Sequence, residues 1–407
     1  MLGEKVMNVV NSIPLEEIKD KVDAYEYIKK YYPQYKTEDH NSLFKMICPW
    51  HEEKTPSLVF WKKNKTFKCF GCNEHGDIIN FVQKMENLDF KSASALVAKN
   101  IGVEYMLKPP NPYHEEYKNI MTNNMKRYNK NLYISPALNY LVNDRKLTKE
   151  IIQEFNIGFV PNNEYKIRTD IGGISGRISF PIMEQFDSDK CKCIGMGYRS
   201  MVNEKPKYIN DRNRNDKNDN LYGVFIKGNC LYGYDKAVKF IKSSDSVYIV
   251  EGYMDVISMH QSGIKNTVGI MGTSLTQNQI NLITKLTNNV ILFLDSDNAG
   301  ISNMVRLLPL LLANNINVKI VTTNIAKDPG DLCKFYNFSK ENILKFINYN
   351  MMLAVQYVID SYTKQYEKVM LESKKNIMNS LAPIFNNITN KEDKEIYTSY
   401  LKHKIML

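Results

Sequence analysis

From Val247 to Thr323 the chain alternates two apolar patterns with little between them. VYIVE (247–251), NTVGIMG (266–272), VILFLD (290–295) and VKIVTT (318–323) are short β-branched runs. Between them, DVISMHQSG (255–263), TQNQINLITKLTNN (276–289) and AGISNMVRLLPLLLANN (299–315) have the composition and length of helices. Strands alternating with helices predict a parallel α/β sheet. The same order places acids at strand ends. Glu251 closes the first run, Asp255 lies one helical turn later, Asp295 and Asp297 follow the third run as LDSD, and Asp328 and Asp331 follow the fourth in KDPGDL. In an open parallel sheet the ligand crevice lies beyond the carboxyl ends of the strands. Carboxylates converging there repel one another, and oxygen-liking Mg2+ or Mn2+ is the natural counter-ion. Such ions carry phosphoryl-transfer chemistry. Asp295 and Asp297 are the leading metal ligands, joined by Glu251, Asp255 and Asp328. Glu251 is alternatively a base toward an attacking 3′-hydroxyl. An Asp after a strand is by itself a common helix cap; the ordered set carries the catalytic reading.

A second pattern constrains the amino-terminal part. CPWH and CFGC place Cys48, His51, Cys69 and Cys72 in a C-x2-H, seventeen-residue, C-x2-C arrangement. Donors two residues apart reach one metal from a tight turn, and two such turns complete a tetrahedron. This is a Cys3His set for one structural Zn2+, closed by four ligands and so without an open position for chemistry. His75 is a rival donor. The intervening EKTPSLVFWKKNKTFKCF mixes lysines with aromatics. Phe60, Trp61 and Phe67 either stack on bases beside phosphate-binding lysines or form the small core around the metal.

The remaining features bound the class. A chain of 407 residues predicts two or three domains. No apolar run has the length of a membrane span, and MLGEKVMNVVNSIPLEE lacks the core of a signal peptide, so a cytoplasmic protein is expected. Seven cysteines in such a chain argue against a disulfide framework. A net charge of +10 favours polyanionic partners. Residues 12–35 read as helical, LKPPNPYHEEY as an interdomain linker, GRISFPIM and CIGMGYRS as strands, and NDRNRNDKNDN as a surface loop. Cys191 and Cys193 fall on one strand face, and from Asp331 onward the chain reads as mostly helical.

These strings together resemble bacterial replicative primases of the DnaG type. CPWHEEKTPS and FKCFGCNEHGDIINFV are similar to that family's zinc-binding domain. VYIVEGYMDVISMHQSGI, VGIMGTSLT and LFLDSDNAG are similar to its Toprim fold. FNIGFV, GRISFPI, IGMGYRS, KPKYIN and FIKGNCLYGYDKA resemble the first part of its RNA polymerase domain. The resemblance implies a multidomain α+β and α/β chain: a zinc ribbon domain (1–106), a linker (107–118), a mixed α+β basic subdomain (119–240), a Toprim parallel α/β subdomain (241–335) and a helical subdomain (336–407). It implies a DNA primase, which makes short RNA primers from ribonucleoside triphosphates on a single-stranded DNA template, in a bacterium or an infected bacterial host. Arg145, Arg199, Lys207, Tyr208, Asn210 and Lys227 fall on positions with nucleotide or template roles. Agreeing with this, residues 199–217 hold six Lys or Arg against three acids, and a triphosphate beside a carboxylate cluster needs cations. Three rivals stand beside it: a Toprim nuclease, which needs neither the zinc ribbon nor KPKYIN; a topoisomerase fragment, which needs a nucleophilic tyrosine on a further domain for which 407 residues leave little room; and a zinc-bearing single-strand-binding module that has lost activity, against which the full acidic set argues. Two features depart from the family pattern: a long polar loop at 211–220, and Gly330 in DPGD. The expected form is a monomer, and a dedicated domain for docking on a replicative helicase is expected to be absent.

Overall fold

The computed structural model describes residues 8–10, 14–86, 88, 90–103, 105–107, 112–161, 173–186, 191–202, 205–211, 224–272, 274–295, 298–364 and 371–406. The chain divides into two compact units, Met1–Asn111 and Pro112–Leu407.

In the first unit, strands Thr37–Asp39, Leu43–Met46, Leu58–Trp61, Thr66–Cys69 and His75–Asp77 form an antiparallel meander in sequence order. Asn8–Val10 pairs in parallel with Tyr105–Leu107. The stretch read as helical over 12–35 holds two helices, Leu15–Lys21 and Ala24–Tyr31. The break has a local cause: the Asp23 side chain accepts the N–H groups of Tyr25 and Glu26 and so starts the second helix. Phe60 and Phe67 are buried in the core, where Phe60 stacks on Phe44 at 4.8 Å with the rings 5° from parallel. For these two rings the core alternative holds, and base stacking by them is ruled out by burial. Trp61 is half-buried.

In the second unit, helix Pro112–Leu132 begins inside the segment expected as a linker. Proline at a first helical turn costs nothing, because its missing N–H would be unpaired there in any case. A four-stranded antiparallel sheet has the order Tyr208–Asn210, Cys193–Arg199, Ile178–Met183, Gly158–Phe159. Cys193 is buried in its strand, and Cys191 precedes it, half-buried. The expected α/β sheet has the order Thr267–Gly269, Val247–Val250, Asn289–Leu292, Asn317–Val321, all parallel. Val247–Val250 is buried at every position, as a run apolar on both faces requires. A fifth strand, Met351–Leu353, pairs antiparallel at the edge, within the region expected to be helical. It follows directly on helix Lys340–Asn350, and three residues carry too little periodicity to be seen in the sequence. One continuous apolar core joins the two sheets: Phe180 and Ile182 of the first pack in the same cluster as Val250, Tyr253 and Phe293 of the second. This shared core holds the carboxyl ends of the parallel strands against the antiparallel sheet. No helix among the described residues is long and apolar enough to cross a membrane.

Candidate zinc centre and active-site cleft

Cys48, His51, Cys69 and Cys72 bring their donor atoms within 4.8 Å of one another. Cys48 Sγ lies 3.7 Å from Cys72 Sγ, and Cys69 Sγ lies 3.8 Å from His51 Nδ1. A tetrahedral zinc, with bonds of about 2.3 Å to sulfur and about 2.0 Å to nitrogen, sets its donors roughly 3.5–3.8 Å apart, so the set fits the ion. His75 is exposed, turns its Nδ1 to the Asn73 carbonyl at 3.1 Å, and stands outside the set. Glu53 supports the site. Its Oε1 accepts the N–H groups of Cys48 (2.7 Å) and Ser57 (3.1 Å), and its Oε2 lies 3.0 Å from His51 Nε2. A carboxylate on the far ring nitrogen orients a metal-ligating imidazole. Although burial acts to raise the Cys69 thiol, hydrogen bonds from the Ser57 hydroxyl and the N–H groups of Cys72 and Gly71 bring it down to about 7. Gly71 leaves the room the imidazole needs: a Cβ there would lie 2.2 Å from His51 Nε2. Glu53 and Ser57 were not foreseen, although both stand in the CPWHEEKTPS string.

In the second unit a cleft of about 200 Å³ opens where the parallel strands end. Its charges are of both signs. Glu251, Asp255, Asp295, Asp328 and Asp331 line it together with Arg145, Arg199, Lys207, Lys327 and Lys334. Tyr208 lines it as well. Arg199 and Tyr208 are direct cross-strand partners, and the Arg199 guanidinium donates to the Tyr208 hydroxyl at 2.8 Å. Crowding of like charge marks both sets. The neighbouring Arg199, with burial and Arg145 after it, lowers the Lys207 ammonium below the ordinary lysine range. Burial, then Asp328 and Asp295, pushes the Asp255 carboxyl up to about 8. Carboxylates concentrated in one place are an all-oxygen donor set, which fits a hard divalent cation. They do not gather as tightly as the zinc ligands, which form the only close group of three or more donors among the described residues.

Not every expected residue reaches the cleft. Asp297 lies outside the described residues, as does most of the 211–220 loop. Asn210 and Lys227 are not among the lining residues. The Asn210 amide oxygen accepts from the Tyr253 hydroxyl at 2.5 Å, tying the antiparallel sheet to the first helix of the parallel one. Lys227 stands against the turn after Thr267–Gly269, where a Cβ on Gly272 would meet its Nζ at 2.6 Å. Asp328 has the capping role its position allowed: it accepts the Asp331 N–H at 2.7 Å at the start of helix Pro329–Phe335. Lys327 and Lys334 were missed; the only sequence signal is that they flank the DPGD motif.

The CHC2 zinc finger family matches residues 10–111, and the Toprim-like family matches residues 248–333. The crystal structure of the Aquifex aeolicus primase, comprising zinc-binding and RNA polymerase domains, aligns over 97% of this chain and 98% of its own, with 25% identity and a TM-score of 0.56. Along almost its whole length the chain is similar to DnaG-type primases. The DNA primase of Borreliella burgdorferi is 28% identical over 95% of this chain and 78% of its own length. That of Rickettsia prowazekii is 30% identical over 88% of this chain and 63% of its own. The first five DNA primases it matches are covered over 58–78% of their own length. The chain carries a structural zinc ribbon, and its Toprim part is of the kind that uses divalent metal.

Proposed function

We propose that the two-signed cleft is where ribonucleoside triphosphates are joined on a single-stranded DNA template, with Mg2+ or Mn2+ held by Glu251, Asp295, Asp297 and Asp328. The observation that supports this reading is the meeting of five carboxylates and five cations at the carboxyl ends of the parallel strands. When bound, the divalent ions polarise the attacked phosphorus and stabilise the charge that develops on it. The chain's own groups do the rest. Arg145, Arg199 and Lys207 neutralise the polyphosphate opposite the acids. Glu251, the first residue after its strand, stands where it can hold metal or take the proton of the attacking 3′-hydroxyl.

Asp255 has a different task. Its Oδ2 accepts the Gly252 N–H at 3.0 Å and its Oδ1 accepts the Gly330 N–H at 3.2 Å. Both oxygens thus brace the loops that carry Glu251 and Asp328, a positioning role that stands ahead of the ligand role expected for it.

In the zinc unit, the exposed Phe70 carries the Lys68 ammonium 5.8 Å from its ring centre and meets the edge of Trp61 at 6.4 Å. An aromatic and a cation together on a surface suit unpaired bases and phosphates, so this face is proposed to meet the template strand.

Ribonucleotide incorporation on circular single-stranded DNA tests the whole reading. Short RNA products that require divalent metal are expected. Cleavage of the DNA without any synthesis would replace it with the nuclease reading.

A further inference from the structure

We infer that Tyr140, through a π-helical turn, is a positioning residue for the two arginines of the cleft. This rests on the reading of the cleft as a triphosphate site.

Residues Tyr140–Asp144 form a π-helical turn directly before Arg145. The Arg145 N–H bonds to the Tyr140 carbonyl five residues back, at 3.1 Å. In an α-helix, residues five apart point about 140° away from each other. The wider turn brings them onto one side, and π-turns inside helices recur at functional sites for this kind of re-aiming. Here it lets Arg145 fold back over its own anchor. Arg145 Nε donates to the Tyr140 hydroxyl at 2.8 Å, and its guanidinium carbon lies 5.6 Å from the centre of the Tyr140 ring.

The same ring serves the second arginine. The Arg199 guanidinium carbon lies 5.5 Å from the Tyr140 ring centre and 5.4 Å from that of Tyr208. Arg199 is 5% exposed. Its Nε–H is buried without a hydrogen-bond partner among the described residues. Neither arginine has a carboxylate ion-pair partner among the described residues, although five acids line the same cleft. Aromatic faces thus do here what carboxylates do elsewhere. They hold guanidinium groups in place by the ring quadrupole without neutralising them, and leave N–H groups for an incoming anion. A carboxylate in the place of Tyr140 would fix the arginines equally well, but it would compete with phosphate for them.

The test compares Tyr140→Leu, Tyr140→Phe and Arg199→Ala in the full chain, on a single-stranded template, with nucleotide KM and kcat measured separately. Tyr140→Leu is expected to raise nucleotide KM about tenfold while kcat stays within about twofold, since the ring acts through groups that bind rather than react. Tyr140→Phe keeps the ring face and is expected to raise KM no more than about threefold. Zinc content and melting temperature should stay at the wild-type level in Tyr140→Phe. If Arg199→Ala raises KM and Tyr140→Leu does not, Tyr140 has no positioning role and the inference fails alone. If Arg199→Ala also leaves KM unchanged, the triphosphate reading of the cleft fails with it. If Tyr140→Leu does not fold, Tyr140→Met takes its place: a KM raised about tenfold upholds the inference and an unchanged KM overturns it.

Discussion

Asp255 and Gly330 are joined across 75 positions of sequence by one hydrogen bond, from the Gly330 N–H to Asp255 Oδ1 at 3.2 Å. The other oxygen of the same carboxyl takes the Gly252 N–H, so one side chain closes two turns at the cleft. Replacing Asp255 with Ala leaves the buried Gly330 N–H and the half-buried Gly252 N–H unpaired and is expected to cost roughly 2–3 kcal/mol of stability. Asn retains one acceptor and should cost less than half as much. Burial and the neighbouring acids hold Asp255 at about 8, above its unfolded value. The folded state therefore binds more protons than the unfolded state between about pH 4 and pH 8, and this group's contribution to stability is present at the acid end and lost as pH rises through that window. Urea titrations of wild type and Asp255→Asn over that range should differ in slope; parallel curves would dismiss the shift.

Glu251→Gln and Asp295→Asn are each expected to reduce primer synthesis by a factor on the order of 100 or more. Zinc content should not change. Melting temperature should hold or rise, because removing one of several crowded carboxylates relieves repulsion at a functional site. Near-normal synthesis by Asp295→Asn would remove it from the metal set.

Metal analysis should find about one zinc per chain, as four ligands in one closed set require. Cys69→Ser should lower that content, and full retention would take Cys69 out of the ligand set. Glu53→Gln loses the carboxylate charge 3.0 Å from His51 Nε2. Its zinc should pass to a chelator roughly 10 to 100 times more readily, the usual effect of losing an outer partner of a ligating histidine. A Co2+-substituted protein with an unaltered ligand-field spectrum and an unaltered release rate would show that Glu53 serves only the backbone of the turn.

His260 is a built-in acid sensitivity. It is buried, its Nε2 hydrogen-bonds the Thr267 carbonyl at 2.9 Å, and burial lowers it to about 4. Its folded value is below the unfolded one. Between about pH 6.5 and pH 4 the unfolded chain binds the extra proton, so stability falls as pH falls through that window and the loss is complete below it. The full effect is on the order of 3 kcal/mol. His260→Gln keeps a donor but cannot titrate, and its stability should decline less over that interval. An equal decline in both proteins would assign the acid loss to other groups.

What could be read from the residues alone was whatever local spacing dictates. Cys48 and His51, and Cys69 and Cys72, announce a metal because ligands in one tight turn must be near neighbours in sequence. Glu251 and Asp295 announce a cleft because strand and helix periods fix where a parallel strand ends. The resemblance to a known family then supplied the activity. Tertiary structure alone decided which of these residues meet. Asn210 and Tyr208 stand two apart on one face of a strand, and both meet Tyr253, yet only Tyr208 lines the cleft, because position along the strand decides which neighbours a side chain reaches. The Tyr140 ring comes to lie against Arg199 by packing between elements distant in sequence, and the edge strand Met351–Leu353 pairs with Asn317–Val321 in the same way. Such contacts depend on how one apolar core seats two sheets against each other, and no local period encodes that.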